Sequence, residues 1–186
     1  MKQLISFFKQ LSPDLSEEDL DYFLRYWTIR KEIKQKEYLL KEGETEKNLY
    51  FILRGTCRIY HRSHREECEV LAYSNSCCNE YLSFTTQKPS KYYVQALKDT
   101  LVIGISRTNF YKCILSNRNL ERAWRIHTEQ RLYYRVQRQL LLRLSAKQKI
   151  EKLLQLNPTI FEHFPKKYIA SYLNMTPETF SRHYNS

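Results

Sequence analysis

The chain has 186 residues, 42% of them hydrophobic, enough for one sizeable core or for one core with a small appended domain. Its 31 Lys and Arg against 20 Asp and Glu give a formal charge of +11, and residues 118–186 hold 13 basic but only 5 acidic side chains, the bias expected of a polyanion-binding segment. No apolar run is long enough to span a bilayer, and the N-terminal MKQLISFFKQL lacks a signal peptide's apolar core and small-residue cleavage site, so a cytoplasmic protein with no membrane partner is expected.

Along the chain, Ser16 followed by Glu17, Glu18 and Asp19 predicts a helix start, with an N-cap and acidic residues over the positive end of the dipole. Leu20, Phe23, Leu24 and Trp27 supply its inward stripe. The period then changes. Tyr38 to Leu40, Leu49 to Leu53, Cys57 to Tyr60, Cys68 to Ala72, Tyr92 to Leu97 and Leu101 to Ile105 are short β-rich runs between charged or Gly-containing turns, which predicts an antiparallel roll or barrel. From Asn109 the pattern is helical again, and Leu120 to Leu144 forms one long periodic segment without Gly or Pro. Leu120, Trp124, His127, Tyr134 and Leu141, with neighbouring Leu140 and Leu144, define its apolar seam, flanked by Arg122, Arg125, Arg131, Arg135 and Arg138. A helix this long exceeds what a small roll covers, so the seam is expected to meet a second copy of itself. Packing on its own domain is the alternative. A further helix runs from Gln148 to Leu156 and is ended by Asn157-Pro158.

The last residues, FPKKYIASYLNMTPETFSRHYNS from Phe164, have the pattern of a DNA-binding helix-turn-helix. Ile169, Leu173 and Met175 are the apolar positions of a short helix and its turn, and Ala170 is small enough for a second helix to cross closely. Asn174 sits at the turn, where a left-handed backbone is needed and Asn tolerates it. Thr176 is an N-cap and Pro177 occupies the first helical position. Phe180 then faces inward, while Glu178, Thr179, Ser181 and Arg182 project toward a major groove, with Lys166 and Lys167 nearby. A helical hairpin that only packs against the rest of the protein is the competing reading.

A β-roll, a long helix and a C-terminal helix-turn-helix in this order resemble the Crp/Fnr family of bacterial transcription regulators over nearly the whole chain. The pieces that carry the resemblance are Gly43 after Leu39-Leu40-Lys41-Glu42, the stretch from Leu49 to Gly55 followed by Arg58, Ile59 and Tyr60, and Ile169 to Arg182 with Pro177-Glu178-Thr179, which looks most like short Bacteroidetes-type members. The resemblance implies an α+β fold: an N-terminal cyclic-nucleotide-binding-like sensor roll over residues 1–117, a dimerisation helix over 118–145 and a helix-turn-helix DNA-binding domain over 146–186. It implies a homodimer on two-fold symmetric double-stranded DNA, with RNA polymerase as a further partner of such a regulator. Glu178 and Arg182 match the family's base-reading Glu and Arg, whereas Pro177 replaces another common base-reading residue. Chemically, Arg182 suits a bidentate contact to guanine and Glu178 an acceptor contact to cytosine.

The effector cassette departs from the family. Cyclic-AMP-binding members carry Gly-Glu near its start and Arg-Ser or Arg-Thr near its end. Here Asn79-Glu80 and Ser90-Lys91 stand in those places, so Glu80 remains while the phosphate-gripping arginine is absent. Glu80, Ser90 and Lys91 are the candidate effector residues, with cyclic AMP in the usual mode not expected and no cofactor assigned. No metal is expected either: the five cysteines form no C-x-x-C pair, and adjacent Cys77 and Cys78 point to opposite faces of an extended chain. No nucleophile with a spaced base, no paired-carboxylate motif and no cofactor fingerprint is present, so an enzyme is not expected. His183 stands where the motif usually has an aliphatic residue. With four residues after Arg182, the alternative of a small-molecule sensor with weak or lost DNA binding stays open.

Overall fold

The computed structural model describes residues 1–184. Two N-terminal helices, α1 (Lys2–Leu11) and α2 (Glu17–Leu24), precede eight strands: β1 (Ile29–Ile33), β2 (Tyr38–Leu40), β3 (Asn48–Arg54), β4 (Thr56–Arg62), β5 (Glu66–Tyr73), β6 (Cys77–Cys78), β7 (Tyr93–Ala96) and β8 (Thr100–Ser106). A short helix, α3 (Tyr81–Thr86), interrupts them after β6. Six helices follow the strands in the described chain: α4 (Arg107–Ser116), α5 (Arg118–Leu141), α6 (Ala146–Leu156), α7 (Ile160–His163), α8 (Lys166–Tyr172) and α9 (Pro177–Tyr184). The expected α+β architecture, an antiparallel roll followed by helices, is the observed one.

The strands pair antiparallel in two four-stranded sheets, ordered β1-β8-β3-β6 and β2-β7-β4-β5. The β3–β4 connection is a single residue, Gly55, at φ 102°. A Cβ there would come within 2.7 Å of the Asp99 carbonyl oxygen, so glycine alone fits both the backbone and the space. The N-cap expected at Ser16 is present and closes into a capping box: its hydroxyl accepts from Asp19 N at 3.0 Å and Asp19 Oδ2 accepts from Ser16 N at 3.2 Å. Five elements, α1, α3, α7, β1 and β6, were not expected from the sequence. In α1, Leu4, Phe8 and Leu11 are buried at helical spacing, and β1, reading IRKEI, is a charged, mostly exposed edge strand. β6 is two residues long, below what a periodicity pattern can register.

Three buried clusters organise the molecule. The first joins α1, α2, α4 and the start of α5 to one face of the roll through Phe8, Phe23, Phe51, Phe84, Phe110 and Trp124. The second fills the roll between the sheets, with Ile52, Ile59, Val94 and Val102 among its members. The third packs α6, α8 and α9 around Ile169, Ala170, Leu173 and Phe180, and Leu141 at the end of α5 belongs to it. Thus α5 is a strut with one end rooted in the roll and the other in the C-terminal helices.

Candidate functional site

The C-terminal helices α8 and α9 are held at their crossing by Ala170 and Phe180, both fully buried. Between them Asn174 has φ 53°, the left-handed conformation expected of it. The Thr176 hydroxyl accepts from Thr179 N at 3.2 Å and starts α9 as an N-cap. With Phe180 inward, Thr176, Pro177, Glu178, Ser181 and Arg182 are exposed, Thr179 is half-buried, and Lys166 and Lys167 are exposed at the start of α8. Hydrogen bonds from its own backbone N–H and from Thr176 hold the Glu178 carboxyl below the usual range, so it is ionised. Lys166 rests 4.2 Å over the Tyr184 ring, and Lys167 lies 4.9 Å over that of Tyr168. His183 is half-buried at the end of α9.

The three candidate effector residues behave differently. Glu80 is the N-cap of α3: its carboxylate accepts from Leu82 N at 3.0 Å and Ser83 N at 2.8 Å, and the side chain is buried. The Ser90 hydroxyl accepts from Tyr92 N and donates to Tyr92 O, while the Ser90 backbone bonds Gly43 and Glu44. Both polar groups therefore serve the local fold. Lys91 is exposed. A guanidinium does stand beside the cassette, but it comes from α5: Arg131 Nη1 donates to Asn79 Oδ1 at 3.2 Å and the group lies 4.8 Å over the Tyr81 ring. No arginine stands in the 88–91 segment, where the resemblance would place one.

The proposed dimer seam needs correction. Leu120, Trp124, His127 and Leu141 are buried within the protomer, the first two in the roll-facing cluster and Leu141 among the C-terminal helices. The roll-side surface recruits them because α1, α2 and α4 extend it, which the strand pattern alone did not reveal. Tyr134, Leu140 and Leu144 are exposed. At about 100° per residue, Leu132, Tyr133, Val136 and Leu140 share one arc on the opposite side of α5, which Tyr134 does not. All four are exposed.

Arg138 is a residue whose role the sequence did not disclose. Its guanidinium donates to Glu69 Oε2 at 2.7 Å, to Cys68 O at 2.8 Å and to Tyr172 O at 3.1 Å. It thereby ties α5 to the edge strand β5 and to the end of α8. Ser171 fastens the same junction: its hydroxyl donates to Glu66 O at 2.9 Å and accepts from Cys68 N at 3.0 Å, filling free ladder positions of β5. Partners 34 to 105 residues away leave no local signature. The five cysteines are free thiols, and burial pushes those of Cys68 and Cys77 up to about 12, leaving them protonated and poor nucleophiles. Among the described residues no group of three His, Cys, Asp or Glu is placed to hold a metal ion, and no helix is long and apolar enough to cross a membrane.

Residues 30–117 match the family described as the cyclic nucleotide-binding domain. No curated protein matches the chain in sequence. Among solved structures it is similar to FixK2 from Bradyrhizobium japonicum, at 19% identity and a TM-score of 0.72 over 84% of this chain and 82% of that one. It is also similar to DNR from Pseudomonas aeruginosa, at 19% identity and 0.57 over 99% and 85%, and to the catabolite activator protein of Thermus thermophilus, at 16% identity and 0.58 over 94% and 84%. DNR is described as a transcriptional regulator. The roll thus matches a cyclic nucleotide-binding domain, and from roll to final helix the chain follows the fold of these proteins.

Proposed function

We propose that the protein is a sequence-specific DNA-binding transcription regulator of the Crp/Fnr type, acting in the cytoplasm as a homodimer, and a binding protein rather than an enzyme. The observation that carries this reading is the α8–α9 unit. Ile169, Ala170, Leu173, Met175 and Phe180 are buried, the turn residue has the left-handed conformation, and Glu178, Ser181 and Arg182 are left exposed on the cationic part of the chain. Such a second helix enters a major groove by its N-terminal end. Arg182 reads guanine and Glu178 accepts from cytosine N4, while Lys166 and Lys167 contact phosphates. Residues 1–117 then form the sensor, 118–145 the dimerisation helix and 146–186 the DNA-binding head. The relatives' names, a transcriptional regulator and an activator protein among them, support the assignment.

Two copies associate through Leu132, Tyr133, Val136 and Leu140 on the solvent side of α5, placing two heads on the half-sites of a symmetric operator. The effector is not cyclic AMP in the family's usual mode, since Glu80 and Ser90 are engaged in capping α3 and bracing the segment before β7. Selection of bound sequences from a random duplex pool tests the reading. A symmetric consensus should emerge, and Arg182→Ala should relax preference at one base pair of each half-site by about 1–3 kcal/mol. Equal affinity for the enriched sequence and for random competitor would refute it.

A further inference from the structure

The hairpin between β4 and β5 reaches from the roll to the connection between α8 and α9. Arg62, Ser63, His64 and Arg65 at its tip are all exposed. Arg65 Nη2 donates to the Asn174 side-chain oxygen, and the Ser171 hydroxyl locks the adjoining edge of β5 to α8. Arg65 therefore lies against the turn that leads into α9. It also lines a cleft of about 300 Å³ whose other walls include Lys167, Thr176 and Pro177. Within that cleft Arg58 and Glu66 form an ion pair at 2.7 Å and offset each other, and Arg62 meets the same Glu66 carboxylate at 3.4 Å. Arg65 and Lys167, by contrast, form no ion pair among the described residues. One cation from the roll and one from α8, neither in an ion pair among the described residues, thus flank the first residues of α9.

We infer that Arg65, a residue of the roll, contacts the phosphate backbone of duplex DNA together with Lys167, beside the groove that α9 enters. The inference rests on the reading of α9 as the DNA-reading helix. When the N-terminal end of such a helix reaches base edges, the groups around the preceding turn lie at the level of the flanking phosphates. A guanidinium held there by a neutral amide keeps its full charge and has donors free for a second acceptor, and its fork fits a phosphate. Because the contact is to backbone, it adds affinity without sequence preference. It also makes DNA affinity depend on where the roll sits. Any movement that frees β5 from Ser171 and Arg138 withdraws Arg65 from the DNA, so the sensor contributes directly to the bound state.

The test measures binding of full-length wild type, Arg65→Ala, Arg65→Ala with Lys167→Ala, and Arg182→Ala over a salt series, each on an enriched duplex and on a scrambled one. Arg65→Ala should weaken both complexes by a similar factor, keep the base preference, and lower the slope of log affinity against log salt by about 1. The double variant should lower it by about 2, and Arg182→Ala should lose preference instead. An unchanged slope and affinity in Arg65→Ala, with wild type binding normally, overturns the inference and leaves the DNA reading standing. Tighter binding by Arg65→Ala overturns it too, since the hairpin would then obstruct DNA. A wild type that binds neither duplex defeats the DNA reading itself, and this inference with it. Arg65 is exposed, so matching thermal melts confirm that each effect is on binding rather than folding.

Discussion

The first half of α5 and its second half carry similar apolar residues but meet opposite surroundings. Leu120, Ala123, Trp124 and His127 are buried against the roll and its N-terminal helices. Leu132, Tyr133, Val136 and Leu140 stand in solvent. Between them the roll-facing side changes character: Arg131 and Arg138 replace the hydrophobes and reach back to Asn79, Glu69 and Tyr172 O. The comparison teaches that helical periodicity reports an apolar side without naming the surface it meets. One helix can bury one side against the roll with its first turns and leave an apolar arc of its later turns in solvent.

The largest effect should come from the buried half. The Trp124 ring lies 4.6 Å from that of Phe110 and 4.8 Å from that of His127. Trp124→Ala should cost about 3–5 kcal/mol, lowering the melting temperature by roughly 10 °C whether or not the protein is dimeric. The exposed half should respond in the opposite way. Val136→Asp with Leu140→Asp should leave the melting temperature of dilute protein nearly unchanged while weakening self-association at least about 100-fold, which is about 3 kcal/mol. Sedimentation velocity across a concentration series reads this directly. If the double variant assembles like wild type, the interface lies elsewhere and the contrast between the halves loses its functional meaning.

The legible parts of the fold were those whose cause is local. Six of the eight strands, the Ser16 N-cap, and the sequence Asn174, Thr176, Pro177, Phe180 at the head each follow from residue type at short spacing, and the structure realises them within a residue or two. The illegible parts depend on distant surfaces. His127 could be placed on an apolar side, but whether that side met a second copy or Phe7 of the same chain depended on α1 packing beside α5. Glu80 was recognisable as a family position, yet its use as the cap of α3 depended on a helix of six residues with weak periodicity. The exposed residues of α9 needed no such partner, which is why the α8–α9 unit was legible and the cassette was not.

His127 also allows the buried half of α5 to be probed by pH without removing any packing group. Burial, reinforced by the positive charge of Arg131, lowers its pKa from the ordinary 6.5 to about 3. Between these values the unfolded chain holds a proton that the folded chain lacks, so stability falls as pH drops through that window. By pH 5 the loss should reach about 2 kcal/mol. Glu46 works in the other direction. Burial raises its carboxyl from 4.5 to about 7, and here the folded chain holds the proton within the window, so stability falls as pH rises from about 4.5 to 7. Wild type should therefore show a shallow curve between pH 4.5 and 6.5, where the two slopes oppose each other. His127→Gln should expose the Glu46 slope, with stability rising as pH is lowered toward 4.5. Glu46→Gln should expose the His127 slope, with stability falling over the same range. Urea melts at half-unit steps distinguish them. A flat curve for Glu46→Gln, with the Glu46 slope intact in His127→Gln, would mean that His127 titrates freely, and hence that the first turns of α5 are not sealed against the roll.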